Sequence, residues 1–175
     1  KKTLKWYENR FLKKVYESIN NSTLEKGIKD IILKDGENSL KTLLLSPPEQ
    51  LYSFNEKLEK ELSNKGLWTK KNRALLLSAF GYDKFIAKKK DVAYELSENI
   101  GSKTCVYCNR IYTFTVDGEK DNNKIVRPDF DHWMLKTEHP LLSMSFFNLI
   151  PSCPICNRSI KLEKDFEYGK HIHPE

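Results

Sequence analysis

Apolar and polar residues alternate through the first hundred positions with the three- and four-residue spacing of amphipathic helices. The apolar stripe of the first predicted helix, residues 4–19, consists of Leu4, Tyr7, Phe11, Val15 and Ile19. The same spacing, with proline and glycine at the ends, predicts helices over residues 22–36, 47–66, 70–80 and 83–100. These helices carry no recognisable catalytic pattern, so we expect a structural or partner-binding role for them.

Beyond the hundredth residue the pattern is typical of short strands. Residues 109–116 are aromatic and β-branched, residues 124–131 contain a second apolar run, and turn residues occur at 117–123 between them. Pro128 marks an edge or a bulge in the second strand, because proline has no amide hydrogen for the ladder. The sequence thus predicts a hairpin that ends at Asp131-His132.

The stretch after the predicted hairpin contains many of the polar residues that suggest chemistry. It is irregular at first, with Pro140 and Pro151, and then reaches a Cys-x-x-Cys sequence. Residues 157–165 predict a short helix. That helix would place Asn157 and Lys161 on one face, because residues four positions apart are neighbours on a helix surface.

The composition is that of a globular protein. The 175 residues suit one domain of ordinary size, or one small domain with an appendage. Hydrophobic residues make up 39% and charged residues 31% of the chain, which permits a packed core and argues against wholesale disorder. No apolar run approaches the roughly 20 residues that cross a bilayer, and no apolar segment of a signal peptide is visible. We therefore expect a cytoplasmic protein without a membrane partner.

The formal net charge of +6 is unevenly distributed. Residues 101–175 contain ten Lys/Arg and ten Asp/Glu, so the first hundred residues carry the whole excess, twenty against fourteen. A basic excess suits a polyanionic partner, because Lys and Arg neutralise phosphates and release counterions. Lysines that merely keep helical surfaces solvated would explain the same charge.

Four cysteines occur in two pairs, each with two intervening residues: Cys105, Cys108, Cys153 and Cys156. This spacing is typical of a structural site in which four thiolates bind one Zn²⁺ ion at about 2.3 Å. Disulfides and redox-active pairs are the alternatives, and zinc is favoured in a chain of cytosolic character. The 44 residues between the pairs exceed the usual zinc-ribbon insert of about 15–20, so we expect the insert to hold a functional substructure.

Together with the cysteines, four polar residues resemble the HNH endonuclease motif in its His-Asn-Asn form: Asp131, His132, Asn148 and Asn157. The resemblance covers roughly residues 103–165. It implies the fold of that family, a ββα-metal finger, here of treble-clef type with the four-cysteine zinc site. In that fold the hairpin presents Asp131 and His132, and the short helix presents Asn157.

The resemblance also implies a role for each motif residue. His132 is the general base that accepts a proton from water, a role that suits an imidazole whose ordinary pKa is about 6.5. Asp131 and Asn157 bind one divalent cation, Mg²⁺ or Mn²⁺, through oxygen atoms. Asn148 stays off the metal and hydrogen-bonds the backbone of the loop that carries the histidine.

Three basic residues near the motif are candidates for contacts with nucleic acid: Arg158, Lys161 and Lys136. For Arg158 and Lys161 a merely solvated position is the alternative. The loop after the histidine also departs from the family pattern, because Leu135 stands where many relatives have proline. The change loosens the loop but removes neither a metal ligand nor the base.

The sequence therefore predicts an α+β protein that is mainly α, with a helical region at residues 1–100 and a zinc-stapled HNH finger at residues 101–175. The expected activity is metal-dependent hydrolysis of nucleic acid phosphodiesters, with DNA as the expected substrate. Similar HNH proteins occur in bacterial anti-phage defence and restriction systems. This resemblance implies a bacterial cytosolic setting and a protein partner, such as an ATPase, docked on the helical region. The competing hypothesis is a non-catalytic zinc module that binds nucleic acid or protein.

Overall fold

Helices build most of the fold. The computed structural model describes residues 2–117, 124–161, 165–166 and 169–174. In these ranges the α-helices are α1 (Lys2–Asn20), α2 (Lys26–Ile32), α3 (Glu37–Leu45), α4 (Pro48–Asn64), α5 (Lys70–Phe80) and α6 (Lys90–Ile100). The apolar stripe predicted for α1 faces inward, since Tyr7, Phe11, Val15 and Ile19 are buried. The described chain is mainly helical, as the sequence predicts.

Two of the predicted helices are interrupted. The helix predicted over 22–36 is shorter, because α2 begins at Lys26 and ends at Ile32, and α3 then begins after Gly36, where no helix is predicted. The helix predicted over 83–100 divides into a π-helical turn, Asp83–Ala87, and α6. Both interruptions are local changes of backbone direction that apolar spacing alone does not encode.

Gly81 forms the corner between α5 and the π-helical turn. Its φ angle of 74° lies in the left-handed region that glycine adopts without a steric penalty. A Cβ atom at this position would lie 2.7 Å from the ring of Phe85, so the corner is also too tight for a side chain. The turn directs the next residue, Tyr82, toward the strand that carries His132, and the two rings lie 4.4 Å apart between centroids.

The strands differ from the predicted hairpin. Only a two-residue strand, β1 (Val116–Asp117), forms at the end of the predicted 109–116 strand, and it pairs with β2 (Lys124–Val126) in antiparallel orientation. The predicted second strand is interrupted at Pro128, and β3 (Asp129–His132) follows it. The hairpin turn predicted at 117–123 lies largely outside the described residues, at 118–123.

The partner of β3 is β4 (Leu149–Ser152), a segment predicted to be irregular. The two strands are antiparallel, and His132 lies opposite Leu149. A π-helical turn, Cys156–Lys161, follows β4 after three intervening residues. It lies where the 157–165 helix is predicted, and residues 162–164 of that prediction lie outside the described residues. The order strand, strand, helical turn therefore arises from β3, β4 and 156–161.

One apolar core extends across both parts of the chain. Trp133, Leu141 and Met144 from the segment between β3 and β4 belong to the same buried cluster as the helix stripes. The hydroxyl of Tyr7 in α1 donates to the carbonyl oxygen of Met144 at 2.9 Å, and Ser145 donates to the carbonyl oxygen of Leu43 in α3. The helices therefore pack against the 133–148 segment and hydrogen-bond to its backbone and side chains. Among the described residues, no helix combines the length and the apolar character needed to span a membrane.

Candidate active site and metal centre

The four cysteine thiols converge on one point. All four Sγ atoms lie within 4.8 Å of one another, and three of the residues are buried while Cys108 is half-buried. A tetrahedral zinc site with Zn–S bonds of about 2.3 Å separates its sulfur atoms by about 3.8 Å, so a small contraction would complete it. The donor set and its geometry fit a structural zinc ion.

Each cysteine pair forms a tight turn around the common centre. In the first pair the amide of Asn109 donates to the carbonyl oxygen of Cys105 at 2.7 Å, and Asn109 adopts a positive φ of 49°. In the second pair the amide of Asn157 donates to the carbonyl oxygen of Cys153 at 3.0 Å. A hydrogen bond from the Arg110 backbone lowers the pKa of the Cys108 thiol to about 6, which favours the thiolate that binds metal.

Asp131 and His132 occupy the end of β3 and are both nearly buried, with 6% and 7% of their surface exposed. Successive residues of a strand point to opposite faces, so the two side chains meet different surroundings. Asp131 faces the first cysteine pair and the helical turn after β4. His132 faces Tyr82 and the segment between β3 and β4.

The carboxylate of Asp131 has two side-chain partners among the described residues. The hydroxyl of Tyr107 donates to its Oδ2 atom at 2.5 Å, and Nζ of Lys161 lies 3.1 Å from Oδ2 and 3.3 Å from Oδ1. The same ammonium donates to the carbonyl oxygen of His132 at 2.5 Å. Burial raises the pKa of Asp131, although Tyr107 and Lys161 act in the opposite direction. Burial and the charge of Asp131 raise the pKa of Tyr107. The phenol therefore stays protonated and donates a hydrogen bond to Asp131.

The imidazole of His132 is oriented by a backbone carbonyl. Its Nε2 atom lies 3.0 Å from the carbonyl oxygen of Ser143. Because a carbonyl oxygen only accepts hydrogen bonds, Nε2 carries the hydrogen and Nδ1 keeps its lone pair in the neutral ring. Burial lowers the pKa of His132 to about 3, so the ring is neutral at physiological pH. The arrangement therefore holds a neutral imidazole whose lone pair is on Nδ1.

Asn148 connects the two ends of the segment that follows His132. Its Oδ1 atom accepts from the amide of Met134 at 2.9 Å, and its Nδ2 atom donates to the carbonyl oxygens of Met134 at 3.1 Å and Leu142 at 3.2 Å. Its own carbonyl oxygen accepts from the amide of Trp133 at 3.0 Å. Asn148 is fully buried, and its Oδ1 atom also accepts from the hydroxyl of Tyr52 in α4 at 3.5 Å. Its other hydrogen bonds are to the backbone of this segment, and none is to another motif residue.

Asn157 and Arg158 both contact Asp129 at the start of β3. Nδ2 of Asn157 donates to Oδ2 of Asp129 at 3.3 Å, and Arg158 makes a bidentate pair with the same carboxylate at 2.8 and 2.9 Å. Asp129 and Asp131 are two positions apart on one strand and therefore share a face. The structure thus brings Asn157 to the strand face that bears Asp131, through a hydrogen bond to Asp129.

The three basic residues predicted to contact nucleic acid are each paired with a carboxylate. Arg158 pairs with Asp129, Lys161 with Asp131, and Lys136 with Asp83 at 2.9 Å. Lys161 is also only 3% exposed. The sequence offered two alternatives for this lysine, a contact with phosphate or a solvated side chain. The structure instead shows a buried ammonium paired with a carboxylate. The spacing of four residues predicts that Lys161 lies on the same helix face as Asn157. It does not predict that this face packs against the buried carboxylate of Asp131.

Sequence reasoning missed other residues that contact the site. Tyr107 lies inside the first Cys-x-x-Cys pair, and this position is the signal that could have identified it. Tyr82 and Ser143 reach His132 only through tertiary packing, so no local pattern marks them. His139 lies outside this network and bridges Glu59 at 2.8 Å and Asp165 at 3.0 Å.

Comparisons with protein-family models, with curated proteins and with solved structures each find no match to this chain. The resemblance to HNH endonucleases therefore depends on the sequence motif alone.

Proposed function

We propose that this protein is a metal-dependent endonuclease of the HNH type that hydrolyses phosphodiester bonds in DNA. In this proposal β3, β4 and the turn at 156–161 are the ββα-metal finger, and the four cysteines are its structural zinc site in a treble-clef arrangement. The observation that carries the proposal is the state of His132, a neutral imidazole whose Nε2 is occupied by Ser143. A protein that only binds nucleic acid has no need of an imidazole held in this way.

His132 acts as the general base in the proposed reaction. Its Nδ1 lone pair accepts the proton of the attacking water, and the positive charge that develops on the ring is stabilised by the Ser143 carbonyl. The bonds of Asn148 to Met134 and Leu142 keep the segment after His132 in one conformation. The His132 side chain is therefore held in one position and does not rotate freely.

Asp131 and Asn157 are the residues that would hold the divalent cation, Mg²⁺ or Mn²⁺. The donor set fits such an ion, because carboxylate and amide oxygens are hard ligands, and Asp131 already attracts the cationic Lys161 to 3.1 Å. When bound, the cation supplies charge neutralisation at the scissile phosphate and at the departing oxygen. With a cation held by Asp131, Lys161 would keep the carbonyl oxygen of His132 as an acceptor.

A plasmid-nicking assay tests the proposal. The zinc-loaded protein is incubated with supercoiled DNA and Mg²⁺ or Mn²⁺, in parallel with His132→Ala and with His171→Ala as a matched control at an exposed histidine outside the motif. We expect cleavage by the wild type and by the control, and a rate lower by about 10²–10⁴-fold for His132→Ala. Equal rates for wild type and His132→Ala, or no cleavage with either ion, would contradict the proposal and favour the non-catalytic zinc module.

A further inference from the structure

The basic residues nearest the candidate site contribute little net positive charge. Arg158, Lys161 and Lys136 each lie within 3.1 Å of an aspartate oxygen, so each positive charge is compensated by a negative one. A nucleic acid backbone binds where positive charge is uncompensated, because its phosphates release counterions only on being neutralised. The binding surface for the substrate must therefore contain other cationic residues.

Arg127 provides uncompensated charge beside Asn157. Its guanidinium packs on the rings of Tyr94 and Phe130, with Cζ 5.9 and 5.7 Å from their centroids, and Nη1 donates to the carbonyl oxygen of Pro128 at 2.6 Å. Within the described part of the chain no carboxylate forms an ion pair with it. Stacking on two rings fixes the planar group and leaves donors for an anion.

A groove of about 160 Å³ runs beside this guanidinium. It is lined by Tyr82, Ala87, Arg127, Asp129, Asn157 and Arg158, so it connects Arg127 to the residue proposed as a metal ligand. The helical region contributes Tyr82, Ile86 and Ala87 to its lining, the last two from the π-helical turn Asp83–Ala87. The groove is therefore shared between the helical region and the segment with the motif residues.

Three consecutive lysines follow the π-helical turn in the sequence, and two of them, Lys88 and Lys89, line a second groove on the other residues of that turn. Lys88, Lys89 and Lys90 follow Ala87 directly, and all three are exposed. None of them forms an ion pair with another described residue. They belong to the first hundred residues, which carry the whole basic excess of the chain.

We propose that Arg127 and the lysines Lys88–Lys90 form a binding surface for the phosphate backbone of a nucleic acid and direct it into the groove beside Asn157. The surface takes its substrate class from the proposed function, but it binds through phosphates and is independent of cleavage. Phosphate contacts position a nucleic acid without reading its sequence, so the surface binds duplexes of different sequence alike.

Fluorescence anisotropy with a labelled DNA duplex, measured over a series of salt concentrations, tests the surface. All proteins carry His132→Ala and are zinc-loaded without added Mg²⁺ or Mn²⁺, so that binding is observed without cleavage. The first variant combines Lys88→Ala, Lys89→Ala and Lys90→Ala. Its control removes the same charge from α4 and the start of α5, by Lys57→Ala, Lys60→Ala and Lys70→Ala, at exposed positions that do not line the groove. Arg127→Gln and Arg127→Lys are compared separately.

We expect the Lys88–Lys90 variant to bind about tenfold or more weakly. The slope of the logarithm of its binding constant against the logarithm of the salt concentration should also be shallower. The change is up to about 0.9 for each phosphate that the variant no longer neutralises. Arg127→Gln weakens binding about tenfold, whereas Arg127→Lys retains most of it because the charge remains. Circular dichroism of Arg127→Gln checks that the fold persists. If the Lys57, Lys60 and Lys70 control loses as much affinity as the Lys88–Lys90 variant, or if neither loses any, the proposed surface is wrong.

The same substitutions in a chain with His132 intact separate this inference from the proposed nuclease activity. Plasmid cleavage by the wild type with unchanged DNA binding by the surface variants contradicts the surface and leaves the nuclease proposal standing. Weaker binding by the surface variants without cleavage by any protein supports the surface and contradicts the nuclease proposal.

Discussion

The hydroxyl of Tyr107 lies 2.5 Å from Oδ2 of Asp131 and joins the first cysteine pair to the carboxylate at the end of β3. Tyr107 stands between Cys105 and Cys108, so its position is fixed by the turn that presents both thiols. The structural metal site and the candidate catalytic carboxylate are therefore one hydrogen bond apart. We therefore expect a change in the cysteine turn to affect Asp131 through this hydrogen bond.

Replacing Tyr107 with phenylalanine removes this hydrogen bond and keeps the aromatic ring that packs on Phe166. A hydrogen bond to a charged group contributes about 1.5–3 kcal/mol, so we expect the free energy of unfolding of Tyr107→Phe to fall by that amount. The pKa of Asp131 also rises further, because the bond to Tyr107 acts to lower it. Urea denaturation of zinc-loaded protein measures the change in stability.

Tyr112→Phe is the matched control for this substitution. The side chain of Tyr112 is 74% exposed, so removal of its hydroxyl should leave the unfolding free energy unchanged within about 0.5 kcal/mol. An equal effect of both substitutions would show that the Tyr107 hydroxyl has no special role.

Zinc removal should abolish the effect of the Tyr107 substitution. The protein as purified is expected to contain about one zinc ion per chain, and chelation should lower its melting temperature because metal binding by the four thiolates contributes to folding. Without the ion the cysteine turn is no longer held, so wild type and Tyr107→Phe should then have the same stability. Metal analysis and thermal melting, before chelation and after zinc is restored, measure both effects. A difference between the two proteins that persists after complete chelation would contradict the coupling.

The fold was predictable where the signal is local. The stripe of α1, and the proline and glycine at the two ends of α4, are signals of neighbouring residues, and the corresponding helices form close to their predicted bounds. The pairing of β3 with β4 was not predictable in this way. The two strands are separated by residues 133–148, and their pairing depends on how that segment packs on the helices.

In the candidate site, too, the features with a local sequence signal were predictable and those that depend on tertiary packing were not. The cysteine cluster follows from two short spacings, whose geometry is that of a turn around a metal. The partners of the charged residues follow from tertiary packing, and the sequence does not show that Lys161 is enclosed with Asp131 or that Asn157 bonds to Asp129. A charge can be read from the sequence, whereas the group that compensates it cannot.

Lys161→Met tests whether the ammonium and a divalent cation compete for Asp131. Removing one partner of a buried ion pair costs about 3–5 kcal/mol, because the other charge is left without compensation. Mn²⁺ should recover part of this loss if it binds Asp131, so its addition should raise the melting temperature of Lys161→Met by more than that of the wild type. Differential scanning fluorimetry across a Mn²⁺ titration measures the two shifts. Lys136→Met is the control, since its partner Asp83 is exposed, and equal shifts in all three proteins would exclude competition at Asp131.

The stabilising effect of His139 should depend on pH in a direction that its surroundings fix. His139 bridges Glu59 in α4 and Asp165 after the helical turn, at 2.8 and 3.0 Å. Burial acts to lower the pKa of His139, but the hydrogen bonds and charges of the two carboxylates outweigh it and raise the pKa above its ordinary value of 6.5. The folded protein therefore binds a proton more tightly at this position than the unfolded chain does.

His139→Gln should consequently lose most stability at low pH. A group whose pKa is raised on folding contributes its full stabilisation below the unfolded value of about 6.5, and the contribution disappears as the pH rises through the folded value. The difference in unfolding free energy between wild type and His139→Gln should be larger at about pH 6 than at about pH 9. Both proteins keep all four cysteines, so the pH dependence of zinc binding is common to them and cancels in the difference. A difference that is constant or that grows with pH would mean that the imidazole is neutral in the folded protein and that its bonds to Glu59 and Asp165 are not ion pairs.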